Sequence, residues 1–368
     1  MQLICDGLDL SEAVLTVLKA TSNRTPNQIL EGIKFKAEND TLTLSATDME
    51  LSIIKTIKAD VKIEGETIVP GAFFSSYLKK LTNEQIELSL NESEQLRIAY
   101  TDSEGFVQCY KTDEFPILKK LENAEYFSIK QCDFKELISK VIFAVATDDS
   151  RPILKGCLLE LEDGKISAVA LDGYRLAYVS KEISESTVTT TPIVPSRSLK
   201  EISNLLSSDS EEEVKVFVQK NNLMIEVNNT FVISRLLEGE FVKYRHIIPK
   251  DFTTTATINK EQLENTLERA QLLARADRNN LVKFDLKEKN MLITSNSDIG
   301  NIKENITISL EGVDLLIAFN ARYVMDALKV IDDEFIKVNF NSAISPCVIK
   351  PNEGEDYFYL ILPVRLMG

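Results

Sequence analysis

Apolar residues along this chain recur with two periods, and the two alternate three times. In "NKEQLENTLERAQLLARA", Leu263, Leu267, Ala270 and Leu273 fall at helical spacing. Asn259 stands before them as an N-cap, with Gln262 three residues on to complete a capping box. In "GCLLELEDGKISAVALD", two alternating apolar runs flank Asp163-Gly164, which signals a hairpin. "EVKVFVQKNNLMIEV" has the same form, with its turn expected at Asn221-Asn222. The pattern predicts helices over 11–24, 72–81, 133–146, 196–206, 260–278 and 320–331, with short strands between them.

The pattern is itself repeated. "LEGIKF" at Leu30 returns as "LKGCLL" at Leu154, an offset of 124. "LSATDMEL", with Asp48, returns as "AVALDGYRL", with Asp172, again 124 apart, and "LITSNSD" places Asp298 a further 126 along. The second helix of each unit follows "IVPGAFF", "IVPSRSL" or "AFNARYV" at steps of 125. A period near 125 residues is too long for a solenoid unit and matches a domain. Three tandem copies of one domain are expected, over residues 1–126, 127–250 and 251–368. Each has two helices and roughly eight strands, an α+β arrangement.

Composition narrows the possibilities. The 368 residues carry a net charge of −15, which taken alone argues against wrapping nucleic acid. The split matters more than the sum. The six expected helices hold 14 Lys and Arg against 9 Asp and Glu, a net of +5, so the remainder carries −20. If the helices share one surface, that surface can meet phosphates while the sheets stay acidic. The five cysteines are scattered with no C-x-x-C, so neither disulfides nor a zinc site is expected, and a reducing cytosol is. "MQLICDGLDL" has no basic n-region, and no apolar run reaches the roughly 20 residues of a membrane helix, so no membrane partner is expected.

Candidate chemistry is sparse. His246 is the single histidine and has no nucleophile signature beside it. No glycine-rich phosphate loop, cofactor motif or metal-ligand spacing occurs. The acids sit in turns and solvated runs. A hydrolase using a carboxylate pair and a monomeric interaction scaffold are two readings that the residues leave open. The densest stretch is "LDGYRLAY" (171–178). Its Asp172 recurs as Asp48 and Asp298, which suits a shared turn. Gly173 and Arg175 do not recur: copy one has Met49 and Leu51, copy three Ile299 and Asn301.

Three tandem two-helix, strand-rich domains, with "SRPILKGCLLE" to "VALDGYRLA" (150–177), "FNARYV" (319–324), "YLILPVRL" (359–366), "NRTPNQILEGI" (23–33) and "DEFPIL" (113–118), resemble the bacterial DNA polymerase III beta subunit family, the replicative sliding clamps, over the whole chain. The resemblance implies a head-to-tail homodimeric ring, helices lining a hole that encloses double-stranded DNA, and no catalysis or cofactor. It implies DNA contacts at Arg24, Lys80, Arg197 and Lys200, and a ring interface pairing Phe106 with Leu272 and Leu273. It implies a peptide pocket between copies two and three. The matching positions are Leu154, Leu171, Gly173, Tyr174, Arg175, Leu176, Val242, His246, Ile247, Asn320, Tyr323, Ile344, Pro346, Leu362, Pro363, Val364 and Arg365. The implied partners are the DNA polymerase catalytic subunit, the clamp loader, and other polymerases and repair proteins bearing short clamp-binding peptides. In the pocket Gly173 would allow close backbone approach, Leu176 supply apolar surface and Arg175 a polar contact. Tyr174, Val242 and His246 depart from the commonest family residues, Arg278 stands where relatives can carry an aromatic, and Met367-Gly368 extends past the usual end. The preferred peptide is therefore left open.

Overall fold

The structure, a computed structural model, describes residues 1–22, 27–81, 84–121, 124–186, 189–275 and 280–366. Its six helices among these are α1 (Gly7–Leu18), α2 (Gly71–Leu78), α3 (Gln131–Ser139), α4 (Ser196–Leu205), α5 (Lys260–Ala274) and α6 (Ala321–Leu328). Every one falls on an expected segment, and most are shorter. α1 starts earlier than expected because Asp6 caps it, accepting from the Leu8 and Asp9 amides. α3 ends at Ser139, ahead of the β-branched pair Val141-Ile142, where a short 3-10 turn replaces it. The Asn259 cap of α5 is present, its side chain accepting from Gln262 N at 2.9 Å. α5 buries Leu263, Leu267, Ala270 and Ala274, while Leu273 is only half-buried. The inward stripe therefore turns past Leu273 onto Ala274.

Shortening the helices redistributes their charge. The helix bodies hold 6 Lys and Arg against 9 Asp and Glu, so they are net acidic rather than basic. Five more cations sit at the ends: Lys19, Lys79, Lys140, Arg275 and Lys329 are each a C-cap. The negative end of the helix macrodipole favours a cation there.

The chain forms two compact units, residues 1–129, 204–206 and 212–236 in one, residues 130–203, 207–211 and 237–368 in the other. In the first, one sheet runs Asp60–Ile63, Gln2–Asp6, Gln85–Leu90, Gln95–Tyr100, Ser103–Gln108. A second sheet of that unit contains Glu213–Val218, Asn222–Val227, Thr230–Arg235, Leu51–Lys58, Thr41–Thr47, Gly32–Glu38 and Gly65–Pro70 in that order. Its 219–222 turn falls one residue earlier than expected, closed by Gln219 N on Asn222 O. In the second unit twelve strands form one sheet: Ile193–Pro195, Gly156–Glu162, Lys165–Leu171, Arg175–Glu182, Tyr357–Ile361, Cys347–Pro351, Phe335–Phe340, Thr254–Asn259, Gly300–Gly312, Asn290–Ser297, Leu281–Lys287, Leu315–Asn320. The Asp163-Gly164 hairpin is there, with positive φ at both residues, 51° and 74°.

Sheet pairing joins successive copies. Thr230–Arg235 of copy two pairs antiparallel with Leu51–Lys58 of copy one. Tyr357–Ile361 of copy three pairs in the same way with Arg175–Glu182 of copy two. Ion pairs add a second tie between copies two and three. Lys140 Nζ lies 2.6 Å from Glu136 and 3.0 Å from Asp332, and Lys181 Nζ lies 2.6 Å from the other Glu136 oxygen. Burial acts to raise the Glu136 pKa, but hydrogen bonds from both lysines outweigh it and hold the carboxyl below its ordinary value. A carboxyl depressed in the folded state stabilises above the unfolded pKa, roughly 4.3, and that stability is lost as pH falls through the folded value. Glu136 is about a third exposed, which limits the contribution to about 1 kcal/mol. Melting of the wild type should therefore drop on acidification below about pH 5, and Glu136→Gln should show a shallower drop from a lower start. Calorimetry across that range checks this, and parallel curves would remove Glu136 from the account.

Candidate functional site

The turn that follows Lys165–Leu171 is built on Asp172. Its Oδ1 accepts from Tyr174 N at 2.9 Å and Arg175 N at 3.1 Å. Copy one repeats the device: Asp48 Oδ1 accepts from Glu50 N at 3.0 Å and Leu51 N at 2.8 Å. These two acids are engaged by backbone amides, which is what an Asx turn requires. Copy three departs, because there Ser297 Oγ accepts from Ile299 N. Gly173 has φ +93°, and a Cβ built on it would meet nothing within 4 Å. Its glycine therefore serves the left-handed turn, and the space a Cβ would take is open.

Arg175 is buried, with 8% exposure, and its contacts are internal. Nε bonds Asp172 at 3.0 Å, Nη1 bonds Asp326 of α6 at 2.6 Å, and Nη2 donates to the Phe143 carbonyl at 2.7 Å. The guanidinium also lies over the Tyr323 ring, 4.7 Å from its centroid, and over Phe143 at 5.3 Å. It is a positioning post that locks the turn to α6, and it does not extend into solvent to meet a ligand. Phe143 and Asp326 carry this arrangement, yet no sequence signal marked them, since they lie 32 and 151 residues from Arg175.

Leu154, Leu171 and Leu176 are likewise beneath the surface, at 1%, 4% and 1% exposure. They belong to a cluster with Phe241, Tyr244, Val348 and Leu360. Other members of the expected set are exposed. Tyr174 is 61% exposed and stacks on half-buried Tyr323, ring centroids 6.0 Å apart. Val242, His246, Ile247, Ile344, Leu362 and Arg365 are exposed, while Pro346, Pro363 and Val364 are half-buried. The C-terminal segment is fixed by Leu362 N on Tyr174 O at 2.9 Å and Val364 N on Ala318 O at 2.8 Å. Asn320 is used as the α6 cap, accepting from Arg322 N at 3.0 Å. Val242 and His246 line a cleft of about 570 Å3 with Leu158, Ile193, Phe241 and Tyr244, apart from the Tyr174 group. Tyr244 donates to Glu160, which also holds Arg245 at 3.1 Å.

Lys80, Arg197 and Lys200 are exposed, the first just past the α2 cap and the others on α4. Phe106 is 56% exposed on Ser103–Gln108, and Leu272 is 68% exposed on α5, so neither serves the core of this chain. Arg24, Arg278 and Met367-Gly368 lie outside the described residues. All five cysteines are free thiols, and burial pushes Cys5, Cys157 and Cys347 up to about 12, so they stay protonated at neutral pH. Among the described residues no group of three or more His, Cys, Asp or Glu side chains is placed to hold a metal, and no helix is long and apolar enough to cross a membrane.

Family models of the DNA polymerase III beta subunit match the chain in three consecutive stretches: the N-terminal domain over residues 1–119, the central domain over 128–243 and the C-terminal domain over 245–365. The chain belongs to the DNA polymerase III beta subunit family. The beta sliding clamp of Staphylococcus epidermidis is 33% identical over 358 residues, 95% of each chain. The DNA polymerase sliding clamp of Bacillus subtilis has a solved structure 32% identical, covering 100% of both chains with a TM-score of 0.96. The beta subunit of Thermotoga maritima, 30% identical, also covers 100% of both with a TM-score of 0.92. The chain is thus three tandem clamp domains and a DNA sliding clamp: it acts on DNA with a DNA polymerase as a processivity factor and is not itself a catalyst.

Proposed function

We propose that two copies of this clamp close head to tail into a ring around double-stranded DNA, and that the exposed residues around Tyr174 and Leu362 receive short peptides from its partners. One observation carries the ring. Inside the chain, each copy offers one strand to the next: Leu51–Lys58 to Thr230–Arg235, and Arg175–Glu182 to Tyr357–Ile361. The counterparts of these strands are left open at the two ends of the series. In copy three the 300–306 part of Gly300–Gly312 is paired on one side only, and in copy one Ser103–Gln108 is paired only with Gln95–Tyr100, among the described residues. An open strand edge is a template for another chain, and a heterologous contact closes when its rotation does. Phe106 stands on one open strand. The other is gripped through Glu304 by Arg269 of α5, one turn before Leu272 and Leu273.

In such a ring Lys80, Arg197 and Lys200 would make backbone-directed, sequence-neutral contacts, which permit sliding because no base edge is read. Arg24 would join them. The docking peptides would come from the polymerase catalytic subunit, the clamp loader, and other polymerases and repair proteins, acting in the cytoplasm. A few polar groups among aliphatic and aromatic walls is a common design for holding an extended peptide. Light scattering should give twice the chain mass of 41.4 kDa. Once loaded, the protein should be retained on closed circular DNA and lost when the circle is cut. Equal loss from both forms would overturn topological retention.

A further inference from the structure

The first unit holds a groove of about 950 Å3 formed by the Thr47–Ser52 turn, the segment Pro116–Leu121, and Gln219, Asn222 and Ile233. Two aliphatic side chains stand open on it, Met49 at 62% and Ile117 at 85% exposure. Single exposed aliphatics are ordinary, but these two line one groove. Met49 is also held at φ +78°, a conformation costly for any residue with a Cβ. Copy two relaxes the same turn position with Gly173. Copy one keeps instead a flexible thioether side chain, well suited to an adaptable apolar contact.

Charge supplies the second observation. Lys119 and Lys120 line the same groove and are exposed, on a chain whose net charge is −15. Lys120 lies over the Phe231 ring, 3.4 Å from its centroid. Among the described residues of the Thr47–Ser52 turn, the acids are Asp48, whose Oδ1 serves the turn amides, and exposed Glu50. The groove's middle segment also has a counterpart in copy two. "EFPILKKL" (114–121) lines up with "EFVKYRHI" (240–247) at an offset of 126, and each buries its phenylalanine to 8%, Phe115 and Phe241.

We infer that this groove docks an extended acidic and apolar peptide segment of a partner protein, aliphatic side chains against Met49 and Ile117, carboxylates toward Lys119 and Lys120. Charge complementarity to the two lysines selects this occupant over a neutral one. The inference does not depend on whether the second unit binds peptide.

The test uses full-length protein with carbon-13 methyl-labelled methionine. The probe is a capped synthetic peptide of roughly ten residues alternating leucine and aspartate, the length an extended groove can hold. Met49 reports this groove, and Met325, buried in α6, reports the second unit. The Met49 signal should shift saturably, and Lys119→Glu with Lys120→Glu should weaken binding by about fivefold or more. A leucine–lysine peptide should leave it in place. Ile117→Ser, at an 85% exposed site, gives an independent loss should the double variant fold poorly. The inference is overturned if Met49 is unmoved at about 1 mM peptide, the weak end of specific affinities. It is also overturned if charge reversal changes nothing, or if Met49 responds to protein concentration alone, which would mark a second copy as the occupant. Movement of Met325 alone overturns it and leaves peptide binding by the second unit standing.

Discussion

Leu272→Asp should turn the dimer into a monomer. Leu272 is 68% exposed on α5, so the substitution removes no core contact, and an exposed change of this kind moves folding stability by only about 0.5 kcal/mol. At an interface the same change replaces an apolar anchor with a charge that must be desolvated, at a cost on the order of 3–5 kcal/mol. That is roughly a hundredfold or more in the dimer dissociation constant, at 1.4 kcal/mol per tenfold. Light scattering should give 41.4 kDa, with the melting temperature of the fold nearly unchanged. Retention on circular DNA should fall to the level seen on linear DNA. Val313→Asp, at a similarly exposed apolar site of 59%, is the control and should stay dimeric. A Leu272→Asp protein that remains a dimer would place the chain-to-chain contact elsewhere.

Arg175→Ala should have its main effect on stability. The family resemblance implied that Arg175 gives a docked peptide a polar contact. Its guanidinium is instead closed in by Asp172, Asp326 and the Phe143 carbonyl at 2.6–3.0 Å. Removing one member of a buried ion-paired group leaves the others desolvated without a partner and costs about 3–5 kcal/mol. For a unit of this size that is roughly 10 °C in melting temperature. The dimer should persist below the transition, because neither Phe106 nor Leu272 is touched. Arg175→Lys should recover only part of the loss, since an ammonium cannot span both carboxylates and the carbonyl in one plane. A double-mutant cycle with Asp326→Asn gives the coupling directly. If Arg175→Ala melts with the wild type while peptide affinity falls, the side chain contacts ligand after all.

The contrast at this turn shows where sequence reasoning reaches. That Asp172 shares a turn with Asp48 was legible, because an Asx turn is closed by amides two and three residues away. What Arg175 does was not, because its deciding partner is 151 residues distant. Leu154, Leu171 and Leu176 were named correctly as apolar and neighbouring, yet pattern alone cannot tell a wall facing solvent from the layer beneath it. The charge count shifted for a similar reason. Periodicity placed every helix but overran the ends, and five of the cations counted as helical sit at the C-caps.

The sequence by itself determined what local rules and repetition can encode. These were six helices, the Asn259 cap, the Asp163-Gly164 hairpin, three copies of one domain, and a family whose motifs run the length of the chain. Tertiary structure alone decided which strands of different copies pair, which arginine is buried, and which strand edges stay open. Pairing between copies is set by backbone hydrogen bonds that any alternating strand can make, so residue type records little of it. The open edges at Ser103–Gln108 and 300–306 became visible only once the two internal pairings had accounted for their counterparts.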